Sequence, residues 1–129
     1  MAEQPLPRVV IVEDDDLVRS LLAEGLSDEG LYVVGSCDTS LEAMHLAEIL
    51  RPDLVVMDIG LAGGDDGLLA AARIYRATGI RCLFTTGQDI AETQRRNMTI
   101  PPALGWLQKP FTPSQLAAAV KQALAQIAG

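Results

Sequence analysis

Five short apolar runs recur along the 129-residue chain, and stretches with the apolar spacing of amphipathic helices separate and follow them. Four of the five runs are near-continuous in apolar residues, which is typical of strands buried on both faces of a parallel sheet. Because strands and helices alternate in a chain of one-domain length, the sequence predicts an α/β fold with an open, doubly wound, five-stranded parallel sheet. The predicted strands are residues 8–12, 31–35, 54–57, 81–85 and 104–108.

Helix boundary signals agree with this alternation. Thr39 with Glu42, and Thr112 with Gln115, have the spacing of capping boxes, in which two side chains bond to each other's backbone amides. Gly79 suits the carboxyl-terminal cap of a third helix, because such caps often need a left-handed backbone. Helical spacing predicts one apolar face on this third helix, comprising Leu68, Ala71, Ala72 and Tyr75.

The fourth helix, between Gly87 and Trp106, is predicted only weakly. Its apolar stripe is thin, and two adjacent prolines forbid its continuation. We therefore expect this helix to be short or mobile. The residues concerned are Ile90, Gln94 and Met98 in the stripe, and Pro101 and Pro102 after it.

Composition and charge exclude several classes of function. The formal net charge of −7 makes a nucleic-acid backbone an unfavourable partner, because phosphate contacts need a basic surface. No apolar run approaches the length of a membrane span and no signal-peptide pattern opens the chain, so we expect a cytoplasmic protein without membrane contact. Cys37 and Cys82 lack the spacing of a metal site, which favours two buried free thiols.

Polar residues follow four of the five predicted strands. Glu13 and Asp14 end the first strand, Asp58 the third, Thr86 the fourth and Lys109 the fifth. Because the carboxyl ends of parallel strands meet at one edge of the sheet, we expect these side chains to converge on one crevice. Taken singly, each has a simpler interpretation: a solvated acidic turn, a turn aspartate, a strand threonine or a surface lysine. Their occurrence together favours a functional site.

Four segments around these residues, VVIVEDDD, PDLVVMD, LFTTG and WLQKPF, resemble the acidic-pair, phosphoacceptor, hydroxyl and lysine strands of two-component response-regulator receiver domains. The resemblance covers essentially the whole chain. The chain is similar to the single-domain chemotaxis regulator of this family. It implies a flavodoxin-like (βα)5 fold with strand order 2-1-3-4-5. It also implies one receiver domain over residues 1–129, with residues 1–7 as an amino-terminal tail and no output domain.

The resemblance assigns Asp58 as the phosphoacceptor and a Mg²⁺ (or Mn²⁺) site to Glu13, Asp14, Asp58 and the backbone carbonyl of Gly60. Asp14 and Asp58 are expected to bind the ion directly, and Glu13 largely through water. Elementary electrostatics agrees, because converging carboxylates repel one another and a hard divalent cation with oxygen ligands offsets the repulsion. Sequence alone thus leads to a cation-dependent phosphoryl acceptor.

Further roles follow from the same resemblance. Lys109 and the Thr86 hydroxyl are expected to stabilise phosphoryl oxygens, because phosphoryl transfer depends on positioning and charge stabilisation. Thr86 and Trp106 are expected to form a switch in which the indole moves after phosphorylation. Gly60 and Gln88 are expected to tune dephosphorylation by controlling access of the hydrolytic water.

The predicted function is that of a stand-alone receiver in a two-component phosphorelay, which switches binding to a downstream protein. The single histidine, His45, is predicted to be a partly exposed surface residue, so the phosphodonor histidine should belong to a partner histidine kinase or phosphotransferase. One alternative is a Mg²⁺-dependent phosphohydrolase with an aspartyl-phosphate intermediate, although Gly60 stands where such hydrolases carry a second aspartate. Another is a degenerate receiver that only binds, although the complete set of polar residues argues against it.

The segment after Asp58 departs from the family pattern. Ala62 stands where the family usually has proline, and the loop to Gly67 is one residue longer than in the chemotaxis regulator. Within it, the run Gly-Gly-Asp-Asp-Gly at 63–67 superficially resembles a nucleotide-cyclase signature, but nothing else in the chain resembles such a domain. We interpret the run as a flexible loop in which Asp66 caps the third helix.

Overall fold

The computed structural model describes residues 5–96 and 103–128. Five strands alternate with five helices along these residues, and one 3₁₀ turn lies at Ala62–Gly64. The strands are β1 (Arg8–Val12), β2 (Tyr32–Cys37), β3 (Leu54–Asp58), β4 (Cys82–Thr86) and β5 (Gly105–Gln108). The helices are α1 (Asp16–Asp28), α2 (Ser40–Leu50), α3 (Gly67–Thr78), α4 (Ile90–Arg96) and α5 (Pro113–Ala128).

All strand pairs are parallel, and the sheet order is β2-β1-β3-β4-β5. This confirms the predicted flavodoxin-like, doubly wound five-stranded sheet. The predicted strands lie within two residues of the observed ones, and the largest difference is at β2, which extends to Cys37. The direction of the strand order reverses between β1 and β3, so the crevice between their carboxyl ends is the place where this fold binds ligands.

Alternate residues of the strands build two apolar layers, one on each face of the sheet. Helices α2 and α3 cover one face, and α1 and α5 cover the other. The first layer includes Val10, Met57 and Phe84 with Ala43, Ala47 and Ala71. The second includes Val9, Ile11 and Leu83 with Leu26, Leu116 and Val120. Strands β3 and β4 are buried throughout, which accounts for their unbroken apolar sequence.

The predicted capping residues lie at the helix ends, and one of the two predicted capping boxes is reciprocal. Thr39 Oγ1 accepts a hydrogen bond from the backbone amide of Glu42, and Thr112 and Gln115 bond reciprocally at 2.8 and 3.1 Å. Gly79 caps α3 with a left-handed φ of 78°. Helix α4 is described over Ile90–Arg96; Met98, Pro101 and Pro102 lie outside the described residues, so a short fourth helix stays a prediction.

The apolar face predicted for α3 is partly wrong. Tyr75 is exposed, and the helix packs through Leu68, Ala70, Ala71 and Ile74. Two adjacent alanines let the helix backbone approach the sheet closely, and the face is rotated so that the phenolic ring stays in water. Helical spacing alone does not determine such a rotation when the helix carries apolar residues on more than one side.

Both cysteines are buried free thiols, as predicted. Burial raises the pKa of Cys37 and of Cys82 to about 12, so neither is a reactive thiolate at neutral pH. His45 is exposed on α2. None of the helices in the two described ranges combines the length and apolar character that a bilayer crossing requires.

Candidate functional site

Three carboxylates meet where β1 and β3 end. One oxygen from each of Glu13, Asp14 and Asp58 lies within 4.8 Å of the others. Glu13 and Asp58 are almost fully buried, at 3% and 2% exposure, whereas Asp14 is partly exposed. Such an arrangement of buried like charges needs a cation close by. The convergence predicted for these three residues is therefore present in the structure.

Lys109 supplies positive charge to this cluster. Its Nζ donates to Glu13 Oε1 at 2.8 Å and to Asp58 Oδ2 at 2.9 Å. The lysine follows β5, and its backbone amide bonds to the carbonyl of Thr86 at 2.7 Å, which holds its base against β4. Burial opposes its charge, but the two carboxylates outweigh this and raise the pKa of Lys109 above its ordinary 10.5. The lysine side chain is thus positively charged at neutral pH, and two hydrogen bonds hold it at the site.

Glu13 is held at every polar group. Its Oε2 accepts from the amide of Asp15 at 3.0 Å, and its own amide donates to the carbonyl of Cys37 at 3.0 Å. Arg19 donates from Nη1 to the Glu13 carbonyl at 2.7 Å, so α1 is tied to the end of β1. A side-chain hydrogen bond with Glu13, together with burial, raises the pKa of Asp14. Sequence reasoning missed Arg19, because its partner is a backbone atom.

The loop from β3 to α3 bears directly on Asp58. The amide of Gly60 donates to Asp58 Oδ1 at 2.9 Å, and Gly60 pairs with Asp66 through an antiparallel bridge. A Cβ on Gly67 would lie 2.4 Å from the carbonyl oxygen of Asp58 and 2.9 Å from Ile59 Cα. Only glycine permits this close approach of α3 to the end of β3. The sequence contains the glycine, but the need for it arises from a tertiary contact.

Thr86 and Gln88 lie beside the acidic cluster and not within it. The Thr86 side chain is fully buried, and its Oγ1 accepts from the amide of Gln88 at 3.0 Å. A cavity of about 210 Å³ separates their loop from the Asp58 loop, and its lining includes Ile59, Gly60, Thr86, Gly87, Gln88 and Thr93. A group attached to Asp58 would therefore have Thr86 and Gln88 as neighbours.

Trp106 packs against Phe84 with ring centroids 4.8 Å apart and planes inclined at 36°. In the ladder between β4 and β5, Phe84 pairs with Trp106 and Thr86 with Gln108. Strand alternation therefore places the indole on the same sheet face as Thr86, two pairs further from the strand ends. Leu107 packs into the opposite layer, as the alternation predicts.

A second cavity, of about 470 Å³, opens the cluster toward α1. Its lining combines charged and apolar side chains, including Glu13, Asp14, Lys109, Val18 and Phe111. Asp14 and Lys109 are thus reachable from solvent, although Glu13 and Asp58 are buried. The oxygen-only set of three carboxylates fits a hard divalent cation, which prefers such ligands and keeps some waters of its own.

Fold and site together define a class: a doubly wound α/β domain whose switch-point crevice holds an acidic triad and a lysine. The chain belongs to the response regulator receiver domain family, whose model matches residues 9–121. Receiver domains are signalling modules of two-component systems, and this agrees with the resemblance of the four strand segments.

Similar proteins support the assignment. The transcriptional regulatory protein PdtaR of Mycobacterium tuberculosis is 38% identical over 129 residues, covering 97% of this chain and 60% of PdtaR. The receiver domain of a modulated diguanylate cyclase from Desulfovibrio desulfuricans is 34% identical with a TM-score of 0.80, covering 95% of this chain and 96% of that one. A LuxR-family response regulator from Aurantimonas has 27% identity and a TM-score of 0.84, covering 95% of this chain and 87% of that one. This chain spans only part of the length of PdtaR.

Proposed function

We propose that this chain is a phosphorylation switch in which Asp58 accepts a phosphoryl group from a phosphohistidine of a partner kinase or phosphotransferase. The observation that carries the proposal is the pairing of a buried Asp58 with Lys109 at 2.9 Å inside a triad of carboxylates. The regulatory names of the relatives agree with a role in signalling.

In the proposed reaction a carboxylate oxygen of Asp58 forms a bond to phosphorus while the bond to the partner's histidine nitrogen breaks. Asp14, Asp58 and the Gly60 carbonyl would hold Mg²⁺, with Glu13 acting through water. The ion, when bound, neutralises charge on the phosphoryl oxygens. Lys109 is placed to turn from Asp58 to a phosphoryl oxygen on the other side, where one close unit charge contributes roughly 4 kcal/mol before desolvation.

The direct test is incubation with Mg²⁺ and a small phosphodonor, followed by intact mass measurement and mapping of the modified residue. We expect one phosphoryl group per chain, on Asp58, and no modification when the cation is chelated. Modification that persists without a divalent cation, or that maps elsewhere, contradicts the proposal.

The fluorescence of Trp106, the only tryptophan, is expected to change when phosphodonor is added with Mg²⁺. Thr86 would have to exchange its bond with the Gln88 amide for one with a phosphoryl oxygen, which leaves space on the sheet face that the indole shares. Covering about 40 Å² of the indole would shift its side-chain equilibrium by roughly 1 kcal/mol. Thr86→Ala should still be phosphorylated but should lose most of the fluorescence change. An unaltered response in that variant would show that the two residues are not coupled.

Gly60 and Gln88 are expected to set the lifetime of the phosphorylated state. Gly60 is exposed, and a Cβ built on it meets only Asp58 Oδ1, at an ordinary 3.6 Å. Gly60→Arg should therefore fold normally, cover the approach to Asp58 and slow dephosphorylation. Gln88→Ala, on the other side of the cavity, should change the same rate by removing side-chain cover. The decay of the phosphorylated mass after rapid removal of donor measures both. Decay curves identical to that of the wild type in both variants would contradict the role.

A further inference from the structure

The Gly-Gly-Asp-Asp-Gly run of residues 63–67 lies in the connection between β3 and α3 and ends at the first residue of α3. Gly63 and Gly64 take left-handed φ angles of 70° and 77°, which turn the chain back toward the sheet. Asp66 accepts from the amides of Leu68 and Leu69 and caps α3, as the sequence predicts. Asp65 is the other acidic residue of this run. Its side chain reaches neither α3 nor the carboxylate triad.

Asp65 bonds to the first residue of α2. One carboxylate oxygen accepts from the amide of Ser40 at 2.7 Å, and the other accepts from the Ser40 hydroxyl. The Ser40 amide is one of the first amides of the helix, which have no partner within it and attract negative charge. These hydrogen bonds lower the pKa of Asp65, so the contact is made by a charged carboxylate at neutral pH. It joins two segments that are 25 residues apart in the chain.

The contact lies one short segment from the phosphoacceptor. Asp66, next to Asp65, is paired with Gly60, and the Gly60 amide bonds to Asp58 Oδ1 at 2.9 Å. The placement of Gly60 therefore depends on where residues 65 and 66 are held. Helix α2 packs on the sheet through Ala43 and Ala47, so Ser40 offers a rigid anchor. Leu61 is buried in the apolar layer and fixes the first half of the loop of residues 60–66, whereas the contact of Asp65 with Ser40 fixes its second half.

We propose that Asp65 is a positioning residue that, through Ser40, fixes the 60–66 loop so that the Gly60 carbonyl is held ready for the divalent cation. This inference rests on the proposed function, because it assigns Gly60 a part in the cation site. Asp65 touches neither the cation nor the phosphoryl group. Its effect is to lower the cost of ordering the loop when the cation binds.

Mn²⁺ titration of the full chain, with free Mn²⁺ counted by electron paramagnetic resonance, tests the proposal. Asp65→Ala should raise the Mn²⁺ dissociation constant about tenfold, at the lower end of what outer partners of metal ligands contribute. The Gly60 amide should also exchange hydrogen faster in the cation-free variant. At saturating Mg²⁺ the rate of phosphorylation should return to that of the wild type, because the site residues themselves are intact.

Asp53→Ala is the matched control. Asp53 also accepts a backbone amide, that of Arg8 at 2.8 Å, but at the amino ends of β1 and β3. It should lose a comparable amount of stability without any change in Mn²⁺ affinity. Asp65→Asn, which keeps an acceptor oxygen, should recover part of the affinity. Ser40→Ala should weaken binding in the same direction and add little to Asp65→Ala in the double variant.

Equal Mn²⁺ dissociation constants in Asp65→Ala and the wild type would overturn the inference alone, provided that the wild type binds Mn²⁺ and is phosphorylated. A wild type that does neither would overturn the proposed function and the inference with it. An Asp53→Ala variant that loses affinity as strongly as Asp65→Ala would also overturn the positioning role, since general destabilisation would then explain both.

Discussion

Asp58→Asn is expected to take up no phosphoryl group from any donor, a complete loss within the detection limit of intact mass measurement. The amide keeps the size and planar shape of the carboxylate, so it fits at a position that is 2% exposed, although its NH₂ group replaces one of the two oxygens that accept hydrogen bonds from Gly60 and Lys109. It lacks the anionic oxygen that has to attack phosphorus. A charge is removed from the triad as well, which would weaken the proposed cation site.

Asp53→Asn serves as the control for this prediction. It makes the same chemical change five residues earlier, at the opposite end of β3, where the carboxylate accepts a hydrogen bond from the backbone amide of Arg8. Both variants should show the far-ultraviolet circular dichroism of the wild type, and only Asp53→Asn should be labelled. Labelling of Asp58→Asn at the wild-type level would mean that another residue is the acceptor.

Lys109→Met is expected to lower the free energy of unfolding by about 2 kcal/mol in the absence of a divalent cation. Breaking a fully buried ion pair typically costs about 3–5 kcal/mol, and partial exposure of the Lys109 side chain reduces that figure. Methionine keeps most of the apolar stem, so the loss reports on the charge. Urea unfolding at neutral pH measures the effect. Lys121→Met, which removes only an exposed contact with Glu29 at 3.4 Å, should cost less than about 1 kcal/mol.

Divalent cation should restore Lys109→Met more than it stabilises the wild type. Lys109 and the cation neutralise the same carboxylates, so removing the lysine removes a competitor, and binding to the folded state stabilises it by mass action. Equal stabilisation of both chains by Mg²⁺ would show that the lysine does not oppose cation binding.

In the wild type the raised pKa of Lys109 means that the contribution of its charge to stability is fully present below the ordinary pKa of 10.5. This contribution is lost as the pH rises through the higher pKa of the folded state.

Much of the candidate site was predictable because its residues stand at strand ends. Glu13, Asp14, Asp58 and Lys109 each follow an apolar run, and the parallel topology brings those ends to one crevice. Thr86 was expected in the same crevice, but the structure places it with Gln88 in the neighbouring cavity. Four roles stay predictions because they concern the phosphorylated state: those of Gly60, Gln88, Thr86 and Trp106.

The sequence by itself determined the order of strands and helices, the helix caps and the identity of the charged residues at the sheet edge, because each of these depends on periodicity or on neighbours within a few positions. Only the tertiary structure decided that α3 packs through Ile74 and not Tyr75, that Arg19 holds the Glu13 carbonyl and that Asp65 holds Ser40. The requirement for Gly67 belongs to the same group. These contacts depend on how far each helix is rotated and how closely it approaches the sheet, and side-chain volumes from distant parts of the chain settle both together.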